Sequence, residues 1–499
     1  MIEPHLPILV ILLPLLAAPV LVCLGSQRVA HPLACIVTWL TFGAVTWLAS
    51  IVAKDGVVRY AIGGWQPPYG IEYVADPLSS YVLTFLSFVA AIVLTASGRL
   101  LGDEVRSTNL SLFYAAYLLC LAGLMGMCVT GDLFNVFVFL EISSLSTYAL
   151  IALGRTRRAP LAALRYLIIG TIGATFFLIG IGLLFQMTGT LNMADLADRL
   201  PRQSGSRTLS VALAIMAVGL AIKMAVFPLH TWLPDAYAEA PHSVTAFIAA
   251  TSTKVSVYAF IRLIYTIFTD GFAFDLLPLD SELQILSLFG IYAASLAAIF
   301  QSDVKRLLAY SSVAQIGYML LGVSLNDPVG LAGGIVHLMN HAFIKGGLFL
   351  AVAIVAARVG GTTLEHFRGV GRSMPGVATA MAVGLVALIG VPLTSGFVTK
   401  WLLLESAIRQ NNLVVAGLML ISSLLAVVYS WKVIEAMFFS EPSRDETVVI
   451  ERGSRIHSLP MATAGLWALV GLSVVLGVWT AANAQSARTA ASYLLDAAP

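Results

Sequence analysis

Apolar residues run along this chain in stretches too long for a strand or for the buried helix of a soluble domain. Runs of about 18 or more recur from one end to the other, and each is long enough for one helical crossing of a bilayer. They fall near 6–24, 32–53, 77–97, 110–130, 132–153, 163–188, 209–233, 243–268, 283–302, 304–324, 329–357, 375–411, 413–439 and 460–482. The pattern predicts an all-α membrane protein of about 14 transmembrane helices. Two runs differ from the rest. The seventh is interrupted by Pro228 and ends at Leu233-Pro234-Asp235, and the twelfth contains Gly390-Val391-Pro392 and Thr394-Ser395-Gly396 before continuing to Gln410. Proline removes a backbone donor and its ring crowds the preceding turn, so helices 7 and 12 are predicted to be broken or kinked.

The two breaks sit five helices apart. That spacing predicts two inverted five-helix repeats, 110–268 (helices 4–8) and 283–439 (helices 9–13), preceded by three helices in 1–109 and followed by helix 14 and a short tail in 460–499. An odd number of crossings inserts the second copy upside down, and transporters place ion sites at such paired discontinuous helices. Two unrelated proline kinks would produce the same breaks without a repeat.

Composition agrees with the pattern. Of the 499 residues 59% are hydrophobic and 11% charged, with a mean hydropathy of +0.90, against roughly 25% charged in soluble domains. A net charge of +2 offers no field for nucleic acid. Cys23, Cys35, Cys120 and Cys128 lie in apolar runs without a CxxC pair and read as ordinary buried thiols. No glycine-rich nucleotide loop and no haem- or cluster-ligating set is present, so no cofactor and no metal is expected. The run at 6–24 lacks a basic n-region and a small-residue cleavage site, and it reads as a retained helix. Lysine and arginine in short loops favour one side two to one, counting Lys305, Arg306, Arg444, Arg452 and Arg455 on the richer side. That side is expected to be cytoplasmic, with both termini outside a cell inner (plasma) membrane.

The chemistry lies in charges that apolar runs should not contain. A charge at the bilayer centre costs about 2.5–3.5 kcal/mol on insertion scales, so such residues usually face the protein interior. Glu141 lies mid-span in helix 5, Lys223 in helix 7 one turn before Pro228, and Lys254 in helix 8. Lys400 follows the break in helix 12, and helix 11 carries His337, His341 and Lys345 at four-residue spacing on one face. Any one of these could be structural, a lysine snorkelling or a glutamate pairing. Four helices each carrying a mid-span charge, three of them lysines, point to function. Burial favours the neutral amine and a neighbouring carboxylate favours the ammonium, so a Glu141–Lys223 pair would be a two-state electrostatic switch. Arginine would stay charged, whereas lysine can exchange a proton. These residues suggest a relay of Lys223, Lys254, His337 and Lys400 along the membrane plane, with Ser252, Thr253, Thr394, Ser395 and water filling the gaps.

Accessory positions carry weaker signals. His337-Leu338-Met339-Asn340-His341 has metal-ligand spacing, but no acid adjoins it in helix 11. His337 is the stronger relay candidate, and His341 also fits a helix-packing hydrogen bonder. His230, after Pro228, could gate proton access or cap exposed carbonyls. Asp303 precedes helix 10 and fits a structural N-cap.

Lys223-Met224-Ala225-Val226-Phe227-Pro228-Leu229-His230-Thr231-Trp232-Leu233-Pro234-Asp235-Ala236-Tyr237 resembles the helix 7 signature of the antiporter-like proton-channel subunits of respiratory complex I, membrane-bound hydrogenases and multisubunit Na+/H+ (Mrp) antiporters. The segments around Glu141, from Asp303 to Ser312 and from His337 to Lys345 match as well, so the resemblance covers most of helices 4–13. It implies fourteen helices with inverted repeats, a helix 5 glutamate paired with the helix 7 lysine, and a proton path continued by Lys254, His337 and Lys400. Lysine rather than glutamate at 400 looks more like the Mrp D-type, L-type or N-type subunits than the M-type. The chain length and the Asp132-to-Gly154 segment look most like the D-type, while His230 to Asp235 looks more like the respiratory and hydrogenase branches.

Three functions compete. The first is a subunit exchanging H+ for Na+ or K+ alongside other membrane subunits of a multisubunit complex. The second is a proton-pumping arm of an NADH:quinone oxidoreductase or membrane-bound hydrogenase. The third is a structural subunit with a dead channel, which the intact set of buried titratable groups argues against. No catalytic redox site is legible in the chain, so whether it counts as part of an enzyme depends on its partners.

Overall fold

The computed structural model describes residues 3–25, 27–203, 205–276, 278–441 and 459–496. Among them thirteen helices are long and apolar enough to cross a membrane, and this is a multi-pass all-α membrane protein. The first three crossings are α1 (Leu6–Leu24), α2 (Gln27–Asp55) and α3 (Pro77–Ser97), with a two-stranded antiparallel hairpin, β1 (Val58–Ala61) and β2 (Glu72–Ala75), between the second and third. Then come α4 (Leu110–Val129), α5 (Leu133–Ala152) and α6 (Ala159–Thr188). The seventh run is α7 (Arg207–Met224) and α8 (Trp232–Glu239), and the eighth is α9 (His242–Ala250) and α10 (Ser252–Ile261). After α11 (Leu279–Ile299), α12 (Val304–Ser324) and α13 (Pro328–Val359), the twelfth run is split into α14 (Pro375–Ile389) and α15 (Ser395–Arg409). The last elements are α16 (Leu413–Phe438), α17 (Pro460–Val478) and α18 (Thr480–Asp496).

Both expected breaks are present. α7 ends at Ala225, which has φ 61°, and α8 starts only at Trp232. α14 ends at Gly390, φ 87°, and α15 starts at Ser395. A third interruption was not predicted: Thr251, at φ −123° and ψ −63°, separates α9 from α10. The expected short tail after helix 14 includes a further helix, α18, which packs on α13 and α3. Its Asn483 accepts from the Tyr81 hydroxyl at 2.6 Å and donates to Asn340 of α13 at 3.1 Å.

Burial sorts the helices into an inner group and an outer ring. About nine-tenths of the apolar window is buried in α12, in α13 and in the α9–α10 span, against a third or so in α2, α11 and α16. Glycines let the inner helices approach closely, as small residues do in membrane bundles. A Cβ on Gly322 of α12 would stand 2.7 Å from the Gly334 backbone of α13.

One backbone arrangement occurs twice. Asp132 caps α5 by accepting from Asn135 N–H at 2.8 Å, while Leu133 N–H donates to Leu191 and Met193 N–H to Gly131. Asp303 caps α12 by accepting from Arg306 N–H at 2.8 Å, while Val304 N–H donates to Thr362 and Leu364 N–H to Ser302. Every position in the second set lies 171 residues after its counterpart, as 303 does after 132, 362 after 191 and 364 after 193. Five crossings separate the two sets, so they lie on opposite faces. The first adjoins Glu72 of β2, and the second adjoins Glu104 and His242.

The second break depends on close backbone contact, because a Cβ on Gly396 would fall 2.0 Å from the Ala387 carbonyl oxygen. Gly396→Ala should therefore lower stability by about 1–3 kcal/mol, the usual cost of overpacking. Thermal unfolding of the purified protein checks this, with Gly376→Ala, where a Cβ meets nothing within 4 Å, expected to match wild type.

Candidate functional site

Glu141, Ser144 and Tyr148 share one face of α5 through their three- and four-residue spacings. Lys223 reaches all three from the last turn of α7: Nζ lies 3.4 Å from Glu141 Oε1, 2.8 Å from Ser144 Oγ and 3.3 Å from Tyr148 Oη. The negative end of the α7 dipole also favours a cation at this turn. The lysine side chain is 3% exposed and the carboxylate 22%, so the pair spans the edge of the interior.

The remaining basic groups form a second set, from Lys254 on α10 to Lys400 on α15. Lys254 Nζ turns back across the α9–α10 interruption to donate to the Ala249 carbonyl, with Thr253 Oγ1 at 3.3 Å. Lys345 Nζ donates to the Leu308 carbonyl at 2.8 Å and to Ser311 Oγ at 2.5 Å, both on α12. The rings of His337 and His341 stack with centroids 5.5 Å apart. His337 Nδ1 lies 3.2 Å from Thr399 Oγ1, and its ring centroid lies 6.2 Å from that of Tyr318. Lys400 Nζ sits 4.9 Å over the Tyr318 ring and donates to the Ile389 carbonyl at 2.7 Å and Ser423 Oγ at 2.9 Å. Like Lys254, it is held by a carbonyl at a helix break. His337 Nε2 and both ring nitrogens of His341 are buried with no hydrogen-bond partner among the described residues.

Lys254, His341 and Lys345 lie within electrostatic range of one another, and the two lysines bond to carbonyls and hydroxyls rather than to carboxylates. Two like charges roughly 6 Å apart at an effective dielectric near 20 repel by about 3 kcal/mol. Charges this close repel, so a proton added to one member weakens the hold of the others on theirs.

Residues 130–426 match the NADH:quinone oxidoreductase/Mrp antiporter transmembrane family. The chain belongs to that family. It is 42% identical to the N subunit of the NADH-quinone oxidoreductase of Desulforudis audaxviator over 95% of this chain and 96% of the relative. It is 30% identical to the D-type subunit of the Na(+)/H(+) antiporter of Alkalihalophilus pseudofirmus over 99% of this chain and 97% of the relative. A chain in the Mrp complex structure from Dietzia sp. DQ12-45-1b superposes with a TM-score of 0.89 at 28% identity, over 99% of this chain and 98% of that one. The protein is thus a membrane subunit of the antiporter-like, proton-translocating type.

Within this family fold the expected residues are distributed unevenly. Glu141 and Lys223 meet, and Lys254, His337, His341, Lys345 and Lys400 form the second group, but no hydrogen bond links Lys223 to Lys254 among the described residues. His230 stacks on Phe227 at 5.4 Å, and its Nδ1 has no partner among the described residues. Asp303 is an N-cap that also accepts from Thr362. Among the described residues no group of three or more His, Cys, Asp or Glu could hold a metal.

Two expectations change. Thr253 does contact Lys254, but Thr394 and Ser395 bond to Val391 and Ser473, and the other hydroxyls that contact the basic groups are Ser144, Tyr148, Ser311, Thr399 and Ser423. Lys305, counted above as a loop charge, is 2% exposed and so belongs to the interior. Arg444, Arg452 and Arg455 lie outside the described residues.

Thr399 accepts from Asn340 Nδ2 at 3.2 Å as well as bonding His337. Thr399→Val should leave both partners short of a bond, at a cost of about 1–3 kcal/mol, and should slow proton transport. Thermal unfolding and transport in vesicles measure the two effects.

Proposed function

We propose that the chain is the D-type, proton-carrying subunit of a multisubunit cation/H+ antiporter in a cell inner (plasma) membrane. H+ would move through Glu141, Lys223, Lys254, His337 and Lys400 in exchange for Na+ or K+. The observation that carries this reading is the set of ammonium groups lodged at helix breaks, continuing through stacked imidazoles and a tyrosine ring to Lys400. His341 and Lys345 join the relay by position, as members of the same cluster. His230 and Asp303 take supporting roles at the first break and the α12 cap.

The 171-residue correspondence supports reading 110–268 and 283–439 as two copies inserted in opposite senses. The orientation with both termini outside rests on the loop charges, and discounting Lys305 still leaves the same side richer. Assembly with other membrane subunits is proposed because the Dietzia chain superposes while belonging to an Mrp complex.

A second reading is favoured by one specific observation: the 42% identity is to a component of a quinone oxidoreductase. The chain would then be a proton-pumping arm driven by redox partners. An imposed Na+ or K+ gradient separates the two. In vesicles holding the whole complex without electron donor, the gradient drives H+ movement under the first reading and none under the second.

Lys223→Ala or Glu141→Ala should abolish proton-coupled transport while the complex still assembles, read by a pH dye in sealed vesicles and by co-purification of the subunits. Normal transport in both variants would disprove the switch. Lys400→Ala should block proton release on one side, and unchanged transport would remove helix 12 from the path.

A further inference from the structure

A cleft of about 580 Å³ opens on the face opposite the β1–β2 hairpin, between Glu104, Glu239, His242, Asp303 and Lys305. The relay makes no use of it. Glu104 ends a short helical turn, Leu101–Glu104, that Arg155 ties down by donating to the Gly102 and Val105 carbonyls at 3.1 and 3.2 Å. Its Oε2 accepts from Ser243 N–H at 3.2 Å, at the positive end of the α9 dipole. His242 Nδ1 is buried with no partner among the described residues. Lys305 Nζ donates to the Ala240 carbonyl at 2.5 Å, where α8 ends, and feels the charges of Glu104, Asp303 and Glu239. Arg155, Arg158 and Arg306 complete the charged lining, with Arg306 engaged by Asp235, which also accepts from Arg165.

Both helices that begin in this cleft lead inward to amines of the relay. α12 starts beside Lys305 and, six residues or about 9 Å further in, presents the Ser311 hydroxyl that holds Lys345. α9 starts at His242 and, about 10 Å further in, presents the Ala249 carbonyl that holds Lys254.

We propose that Glu104, His242 and Lys305 form a proton port joining solvent in this cleft to Lys345 and Lys254. This rests on the relay reading above. Glu104 takes a proton from water and passes it to the neutral Lys305 amine, leaving carboxylate and ammonium. The ammonium releases it through water along α12 to neutral Lys345, which regenerates the amine. His242 receives and returns protons beside the same carboxylate. Burial, opposed by the Lys305 charge and by backbone donors, pushes the Glu104 carboxyl up to about 7, so its exchange with water falls in the working pH range.

Arginine at 305 keeps the charge and the carbonyl contact but holds its proton, so it separates a port from a structural cation. In vesicles carrying the whole complex, Lys305→Arg should assemble and transport about tenfold or more slowly. Glu104→Gln should slow transport similarly and remove the inflection near pH 7 from the rate profile, and Glu104→Asp should restore both. Wild-type rates in Lys305→Arg, or an unchanged pH profile in Glu104→Gln, would overturn the port. Should Glu104→Gln fail to assemble, Lys305→Arg and Glu104→Asp decide the matter. In the same vesicles Lys254→Ala tests the relay itself. An inactive Lys254→Ala beside a normal Lys305→Arg defeats the port alone, and a normal Lys254→Ala defeats the relay.

Discussion

An ammonium resting on a backbone carbonyl that a broken helix has left free is the interaction on which this structure turns. A continuous transmembrane helix satisfies its own carbonyls and offers a buried cation nothing. At a break, the last carbonyls of the first half point into the protein at the negative end of a helix dipole. Lys254 rests on Ala249 and Lys400 on Ile389, each at such an end, and Lys305 rests on Ala240, the carbonyl that closes α8. A carbonyl accepts a hydrogen bond from a neutral amine as well as from an ammonium, so these positions tolerate both protonation states. Glu141 is different in kind, because an ionised carboxylate rewards only the charged lysine. The interior thus combines one charge-demanding contact, at Lys223, with several charge-tolerant ones, an arrangement suited to moving a proton rather than trapping it.

The repeated backbone arrangement places equivalent ends on opposite faces. On the hairpin face the Asp132 arrangement borders a pocket lined by Glu72, Asp76 and Arg262, where Arg262 grips both Asp76 oxygens at 2.5 Å. On the other face the Asp303 arrangement borders the Glu104–Lys305 cleft. The first place is closed by a tight ion pair and the second holds a lysine bonded only to a carbonyl. Similar backbone scaffolds at the two faces therefore carry different electrostatics.

Much of the fold was legible because hydrocarbon imposes strict rules on sequence. Long apolar runs marked the crossings, and Pro228 and Gly390-Val391-Pro392 marked two of the breaks. The Thr251 interruption left no such mark, because Thr251-Ser252-Thr253 contains neither proline nor glycine. α18 was hidden by its polar, alanine-rich composition, and the hairpin by strands of four residues each. Among the site residues, the charges stood out because apolar runs contain so few. Ser144, Ser311, Thr399 and Ser423 did not, since hydroxyls are common in membrane helices and usually bond their own backbone. Lys305 was misread because it sits at a helix start beside Arg306, where a loop charge is the ordinary reading. Only the tertiary approach of α8 and the Leu101–Glu104 turn buries it.

Proton movement through the second half requires that its basic groups be joined by water wherever they do not touch directly. A density map of the assembled complex, fine enough to place water molecules, measures this. It should show ordered water within hydrogen-bond reach linking Lys345, His341 and His337, and reaching Lys400 beside Tyr318. Dry apolar packing between these groups, or their side chains turned out to lipid, would contradict it.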